Sequence, residues 1–140
     1  EGVKRTGLSL GEIRDIVQDD FVMRKCLVSG DISKAIYADD CVFTDPQMTC
    51  KGLDKFVSGT KALFYAPASE LELLGRVEVV GDNQIFARFR EVACFNIPFR
   101  PKTYFSGNLT LTVRKQDGLI ENYLEQWDLS IPEILRSARL

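Results

Sequence analysis

Histidine is absent from this sequence, tryptophan occurs once and methionine twice. The first absence removes three chemistries together: an imidazole general base, a Ser-His or Cys-His nucleophilic pair, and the usual zinc site with histidine ligands. Cysteine is present at Cys26, Cys41, Cys50 and Cys94, spaced too irregularly for a paired metal knuckle. A chain of this length needs no disulfides, so the thiols are expected to be free and buried, which suits a reducing compartment. Neither a metal nor a cofactor is expected. No apolar run approaches the roughly 20 residues of a membrane-spanning helix, so no membrane span is expected. An excess of basic charge is missing too: 18 Lys and Arg stand interspersed against 20 Asp and Glu, for a net charge of −2. A nucleic-acid backbone calls for a basic face, so no nucleic-acid partner is expected. Lys4 and Arg5 lead into Gly7 and a helix cap instead of an apolar stretch, so no signal peptide is read here.

What is present is ordinary for a globular protein: 45% hydrophobic and 27% charged residues over 140 positions, with no low-complexity tract. A chain of this size is expected to form one domain, 1–140, and to bury roughly two-thirds of its unfolded surface. Ser9 and Glu12 make a capping-box pattern ahead of Ile13, Ile16, Val17, Phe21, Met23 and Leu27, which predicts a first helix from Leu10 to Val28. Gly30 ends it and Asp31 caps a short second helix running toward Tyr37. A short extended run carries Cys41, Phe43 and Asp45 on one face up to Pro46, and a one-sided third helix follows from Leu53 to Phe64.

From Ser69 the hydrophobic period changes from helical to alternating. Leu71, Leu73, Val77 and Val79 form one strand; Ile85, Ala87, Phe89 and Ala93 form the next, joined by a turn at Gly81 to Asn83. Asn96 to Lys102, with Pro98 and Pro101 around Phe99, reads as a loop. A strand through Leu109, Leu111 and Val113 turns at Asp117-Gly118 into Leu119 to Asp128, and Pro132 starts a last short helix. Helices followed by a four-stranded antiparallel meander make the class α+β.

Leu119 to Asp128 (LIENYLEQWD) organises the rest. Tyr123, Glu125 and Trp127 fall on alternate residues, so in a strand all three emerge on one face and place a carboxylate between two aromatic rings. A carboxylate so placed loses hydration, its pKa rises, and it suits a general base near neutral pH; it equally well reaches solvent or pairs with an arginine. Asp45 before Pro46 reads as a turn residue bonding its own backbone, and Trp127 as a core residue. Arg88 and Arg90 read as cross-strand partners of residues near Glu72 and Glu78. Phe99 reads as loop packing or, if exposed, as a partner surface.

Tyr37 to Pro46 (YADDCVFTDP), Lys51 to Phe56 (KGLDKF) and Glu125 to Asp128 (EQWD) together resemble the NTF2-like (SnoaL-like) superfamily over nearly the whole chain. More narrowly, the chain resembles a branch with plastid members in plants and mitochondrial members in animals, whose last strand commonly reads Ile-x-x-His-x-Asp-x-Trp-Asp. Here Ile120, Tyr123, Glu125, Trp127 and Asp128 stand in that pattern, with Tyr for His and Glu for Asp. The resemblance implies a cone: three N-terminal helices packed in a strongly curved antiparallel sheet, with a cavity between them. It places Tyr123, Glu125 and Trp127 along the inner wall, Phe43 and Asp45 near the mouth, Phe56 beside them and Tyr37 joining from the second helix. It also implies a homodimer and a mitochondrial or plastid location.

Two functions are consistent with this. One is a non-catalytic cone-fold module that binds a small apolar ligand or serves as an accessory subunit of an organellar assembly. The other is a cofactor-independent isomerase or hydrolase-type enzyme with Glu125 as general base and Tyr123, Tyr37 or Tyr104 as oxyanion donor. Convergence of Glu125 and Tyr123 on a closed apolar pocket favours the enzyme; a pocket filled by Trp127, Phe43 and Phe56 disfavours it.

Overall fold

Ser9 opens α1 (Leu10–Arg24) with the reciprocal cap expected of it. Its hydroxyl accepts the Glu12 backbone N–H at 3.1 Å, and the Glu12 carboxylate accepts the Ser9 N–H at 2.9 Å. In this computed structural model, which describes residues 3–139, Ile13, Val17 and Phe21 turn the helix inward while Met23 faces solvent. The helix does not continue to Val28. Lys25 takes a left-handed conformation (φ 49°), and its ammonium donates to the carbonyls of Ala66 at 2.8 Å and Ser69 at 2.9 Å. These distant contacts break the helix and re-aim α2 (Cys26–Ser29), which buries Cys26, Leu27 and Val28.

The second helix predicted before Tyr37 is a single 3-10 turn, Lys34–Ile36, and Asp31 does not cap it. Asp20 is the reason. Almost fully buried, it accepts the Ser33 backbone N–H at 2.9 Å, the Ser33 hydroxyl at 2.8 Å and the Arg24 guanidinium, tying the connection to α1. Asp20→Ala strands these donors and is expected to lower stability by about 3 kcal/mol in urea denaturation. A loss below about 1 kcal/mol would show that the cluster is not structural.

The strands are β1 (Tyr37–Thr44), β2 (Thr49–Lys51), β3 (Glu70–Val80), β4 (Gln84–Cys94), β5 (Lys102–Val113) and β6 (Ile120–Trp127). The meander β3 to β6 forms as expected, but the sheet is larger than four strands. Its order is β2-β1-β6-β5-β4-β3, and β1 runs parallel to β6, so the six-stranded sheet is mixed instead of purely antiparallel. The Asp45 to Met48 turn creates β2, which the sequence reading missed, by folding the chain back on β1. With α3 (Leu53–Leu63) and α4 (Ile131–Arg136) the class is α+β.

The curvature has a local cause in β3. Gly75 (φ 80°) sits in a bulge where the β3–β4 register shifts between Leu74 and Glu78. The backbone groups freed there are taken by α1: the Val77 N–H donates to Gln18 at 3.1 Å and the Val77 carbonyl accepts Arg14 Nε at 2.7 Å. Val77 is therefore sealed in the core, whereas Val79, assigned the same face by alternation, is exposed. One hydrophobic cluster joins the inner faces of α1, α2 and α3 to the concave sheet. All four cysteines are buried and free, Arg90 pairs with Glu72 at 2.6 Å on the surface, and Phe99 is 87% exposed at the β4–β5 loop. Among the described residues no helix is long and apolar enough to cross a membrane.

Candidate functional site

Between α3, α4 and the concave sheet lies a cavity of about 440 Å³. Its wall is mostly apolar, with Leu27, Phe56, Phe64, Phe95, Phe105 and Ile134 in it, and three carboxyl residues face it: Asp45, Glu91 and Glu125. Tyr123, Glu125 and Trp127 reach it from β6, whose pleat sends alternate side chains to one face. Trp127 Nε1 donates to Glu125 Oε2 at 2.7 Å, and the Tyr123 hydroxyl donates to Oε1 at a looser 3.4 Å. Phe105 packs against Trp127 with ring centroids 5.2 Å apart.

The other sequence-derived candidates divide. Phe56 lines the cavity, stacked on Phe43 with centroids 3.9 Å apart. Phe43 thus lies beneath Phe56 and not at the mouth, and it is almost fully buried. Tyr37 belongs to β1, not to a helix, and stacks behind Phe43 at 6.1 Å, outside the cavity lining. The two form an aromatic layer that backs the wall. Tyr104 lies on the outer face of β5 and is 41% exposed. Asp45 lines the cavity and is also the turn residue its context suggested, its Oδ1 accepting the N–H groups of Gln47 at 2.8 Å and Met48 at 3.0 Å.

Glu91 was missed. It shares the inner face of β4 with Ile85, Ala87, Phe89 and Ala93, and strict alternation assigns position 91 to that face. It is 3% exposed, and its Oε1 has no hydrogen-bond partner among the described residues. Burial, reinforced by the nearby Glu125 and Asp45 carboxylates, holds the Glu91 carboxyl well above the ordinary glutamate range.

Glu125 is half-buried, enclosed by protein with its carboxyl toward the cavity. Its pKa is pushed up to about 7: burial is the main cause and Asp45 adds to it, while the hydrogen bonds from Trp127 and Tyr123 pull the other way. Burial and Glu125 also raise the Tyr123 phenol, which stays protonated as a donor. Because Glu125 binds its proton more tightly folded than unfolded, its contribution to stability is complete below about pH 4.5 and is lost as pH rises through about 7. Wild type should therefore lose about 2 to 3 kcal/mol relative to Glu125→Gln between pH 4.5 and pH 8. Urea denaturation of both proteins across that range measures it; parallel pH curves would mean that the carboxyl is well solvated.

A carboxyl half-ionised near neutrality can take a proton and return it, and the apolar wall suits the non-polar body of a small molecule. In sequence, the model of a family described as "Uncharacterized conserved protein (DUF2358)" matches residues 13–123. The chain belongs to that family. The DUF2358 match includes Asp45 and Glu91 and ends at Tyr123, two strand positions short of Glu125 on the same face. No curated protein matches the sequence. In structure, this DUF2358 chain is similar to an LEH-like epoxide hydrolase of M. tuberculosis: TM-score 0.61 at 13% identity over 91% of this chain and 92% of that one. It is similar also to a candidate SnoaL-like polyketide cyclase of Jannaschia sp. CCS1, with TM-score 0.64 at 12% identity, covering 97% and 96%. A de novo designed protein with a curved β-sheet matches at TM-score 0.58 and 20% identity, covering 92% and 95%. At these identities the likeness shows the fold alone, the NTF2-like (SnoaL-like) cone. A fold by itself specifies no chemistry.

Proposed function

We propose that the cavity binds a small, largely apolar molecule and that Glu125 exchanges a proton with it, as the general base of a cofactor-independent isomerase or hydrolase-type reaction. One observation carries this: a carboxyl brought to about 7 inside an apolar cavity, with both oxygens oriented by Trp127 and Tyr123. In the simplest such step the Glu125 carboxylate takes a proton from a carbon next to a carbonyl. The C–H electron pair moves toward the carbonyl oxygen, and the proton then returns from Glu125 to carbon. The solved structures named as an epoxide hydrolase and a candidate polyketide cyclase share this fold, and both names are compatible with the reading. The test is α-proton exchange of cyclohexyl methyl ketone in D2O, followed by mass spectrometry. Protein-dependent exchange should rise with pH through about 7 and then level off; a protein that binds the ketone without exchanging it contradicts the catalytic reading.

A binding-only role has its own support. The Tyr123 hydroxyl is already engaged by Glu125, Tyr37 lies behind Phe43 and Tyr104 faces outward, so none of these tyrosines is aimed at a ligand oxygen. The exposed Phe99 suits a companion chain. Native mass spectrometry of protein from its own source would show a retained ligand, a second copy or organellar companions. An accessory subunit is supported by stoichiometric companions and an empty cavity.

A further inference from the structure

Glu91 is buried where β4 offers an apolar neighbourhood, between Phe89 and Ala93 on the same face. Its Oε1 is sealed from water and unpartnered among the described residues, yet the residue lines the cavity. A buried carboxylate with no cation to pair it costs several kcal/mol, so the group is held as the neutral acid, which has one O–H to donate. Leucine would pack here at no such cost. A polar group kept at the expense of stability inside a cavity marks a position that serves what the cavity holds.

We propose that Glu91 is a positioning residue that donates a hydrogen bond to an oxygen of the bound molecule. The cavity accordingly takes an uncharged apolar compound carrying an acceptor oxygen and rejects carboxylates. This rests on the small-molecule reading above and deepens it. The electrostatics agree: Asp45 and Glu125 are the other carboxyl residues at the cavity, and the basic residue that lines it, Lys55, is exposed. An anion driven inward would meet like charge without a buried cation to receive it. The upward displacement of the Glu91 carboxyl by burial and by Glu125 is in keeping with the neutral form.

Trp127, the chain's single tryptophan, lines the cavity and reports occupancy by its fluorescence. Three probes of similar shape separate the terms: cyclohexyl methyl ketone, ethylcyclohexane and cyclohexanecarboxylate. Wild type should bind the ketone about tenfold more tightly than the hydrocarbon, and the carboxylate more weakly than the ketone. Glu91→Leu should erase the ketone's advantage over the hydrocarbon while still binding the hydrocarbon, which also shows that the cavity is intact. Glu91→Gln, whose amide N–H can donate, should keep most of it. Equal binding of ketone and hydrocarbon by wild type, tightest binding of the carboxylate, or an undiminished ketone preference in Glu91→Leu each overturns the role of Glu91 alone. Failure of wild type to bind any of the three overturns the small-molecule reading, and this inference with it. The wild-type comparison decides without a variant.

Discussion

Glu125→Gln should leave a folded protein whose α-proton exchange on cyclohexyl methyl ketone is about a hundred- to ten-thousandfold slower than that of wild type. The amide matches the carboxyl in shape and retains an oxygen for the Trp127 Nε1–H, which is 2.7 Å from Glu125 in the wild-type site. What it lacks is a group able to hold a proton near neutral pH, so the loss should fall on turnover and leave ketone affinity within a few-fold of wild type. Thermal unfolding guards against a trivial explanation: the variant should equal wild type at acid pH and exceed it above about pH 7, where wild type carries a charge in an apolar setting. Undiminished exchange in Glu125→Gln would remove Glu125 from the mechanism and leave Glu91 as the carboxyl to test.

Gly107→Ala is expected to be the most damaging conservative change in the sheet, costing about 3 kcal/mol or more, or preventing folding altogether. Gly107 lies in β5 opposite Trp127 on one side and Phe89 on the other. A Cβ built there would collide with the Gln126 carbonyl oxygen and stand 3.1 Å from Phe89 Cζ. The main obstacle is backbone, which has no rotamer to escape into, so β6 itself must shift. The neighbour of Gln126 is Trp127, and displacing it loosens the hydrogen bond that orients Glu125. Urea denaturation and Trp127 fluorescence follow both effects; a cost under about 1 kcal/mol would show that β6 yields easily to the added methyl group. The residue that lets β5 and β6 approach so closely thus also sets the position of the site.

The α1 cap, the hairpins of the meander and the common face of Tyr123, Glu125 and Trp127 were legible because each depends on a few neighbouring residues. Capping bonds span three positions, and the strand pleat repeats every two. The same locality explains the failures. Alternation assigned Val77 and Val79 one face, and the Gly75 bulge, supported by Gln18 and Arg14 from α1, gave them different ones. Glu91 was readable by parity but not by chemistry: one glutamate in an apolar series looks alike whether its strand faces a cavity, solvent or a bulge.

By itself, then, the sequence determined the local elements, the α+β class and the alternation that sets an acid among aromatic rings on β6. Its lack of histidine excluded an imidazole general base. Tertiary structure alone decided that α1 stops at Lys25, that β1 joins β6 in parallel, that Tyr37 and Phe43 back the wall, and that Glu91 and Glu125 share one cavity. Each of those outcomes rests on partners far apart in the chain, such as Lys25 with Ala66 and Ser69. Periodicity carries no information about such partners, because it records which way a side chain points and not what the fold brings to meet it.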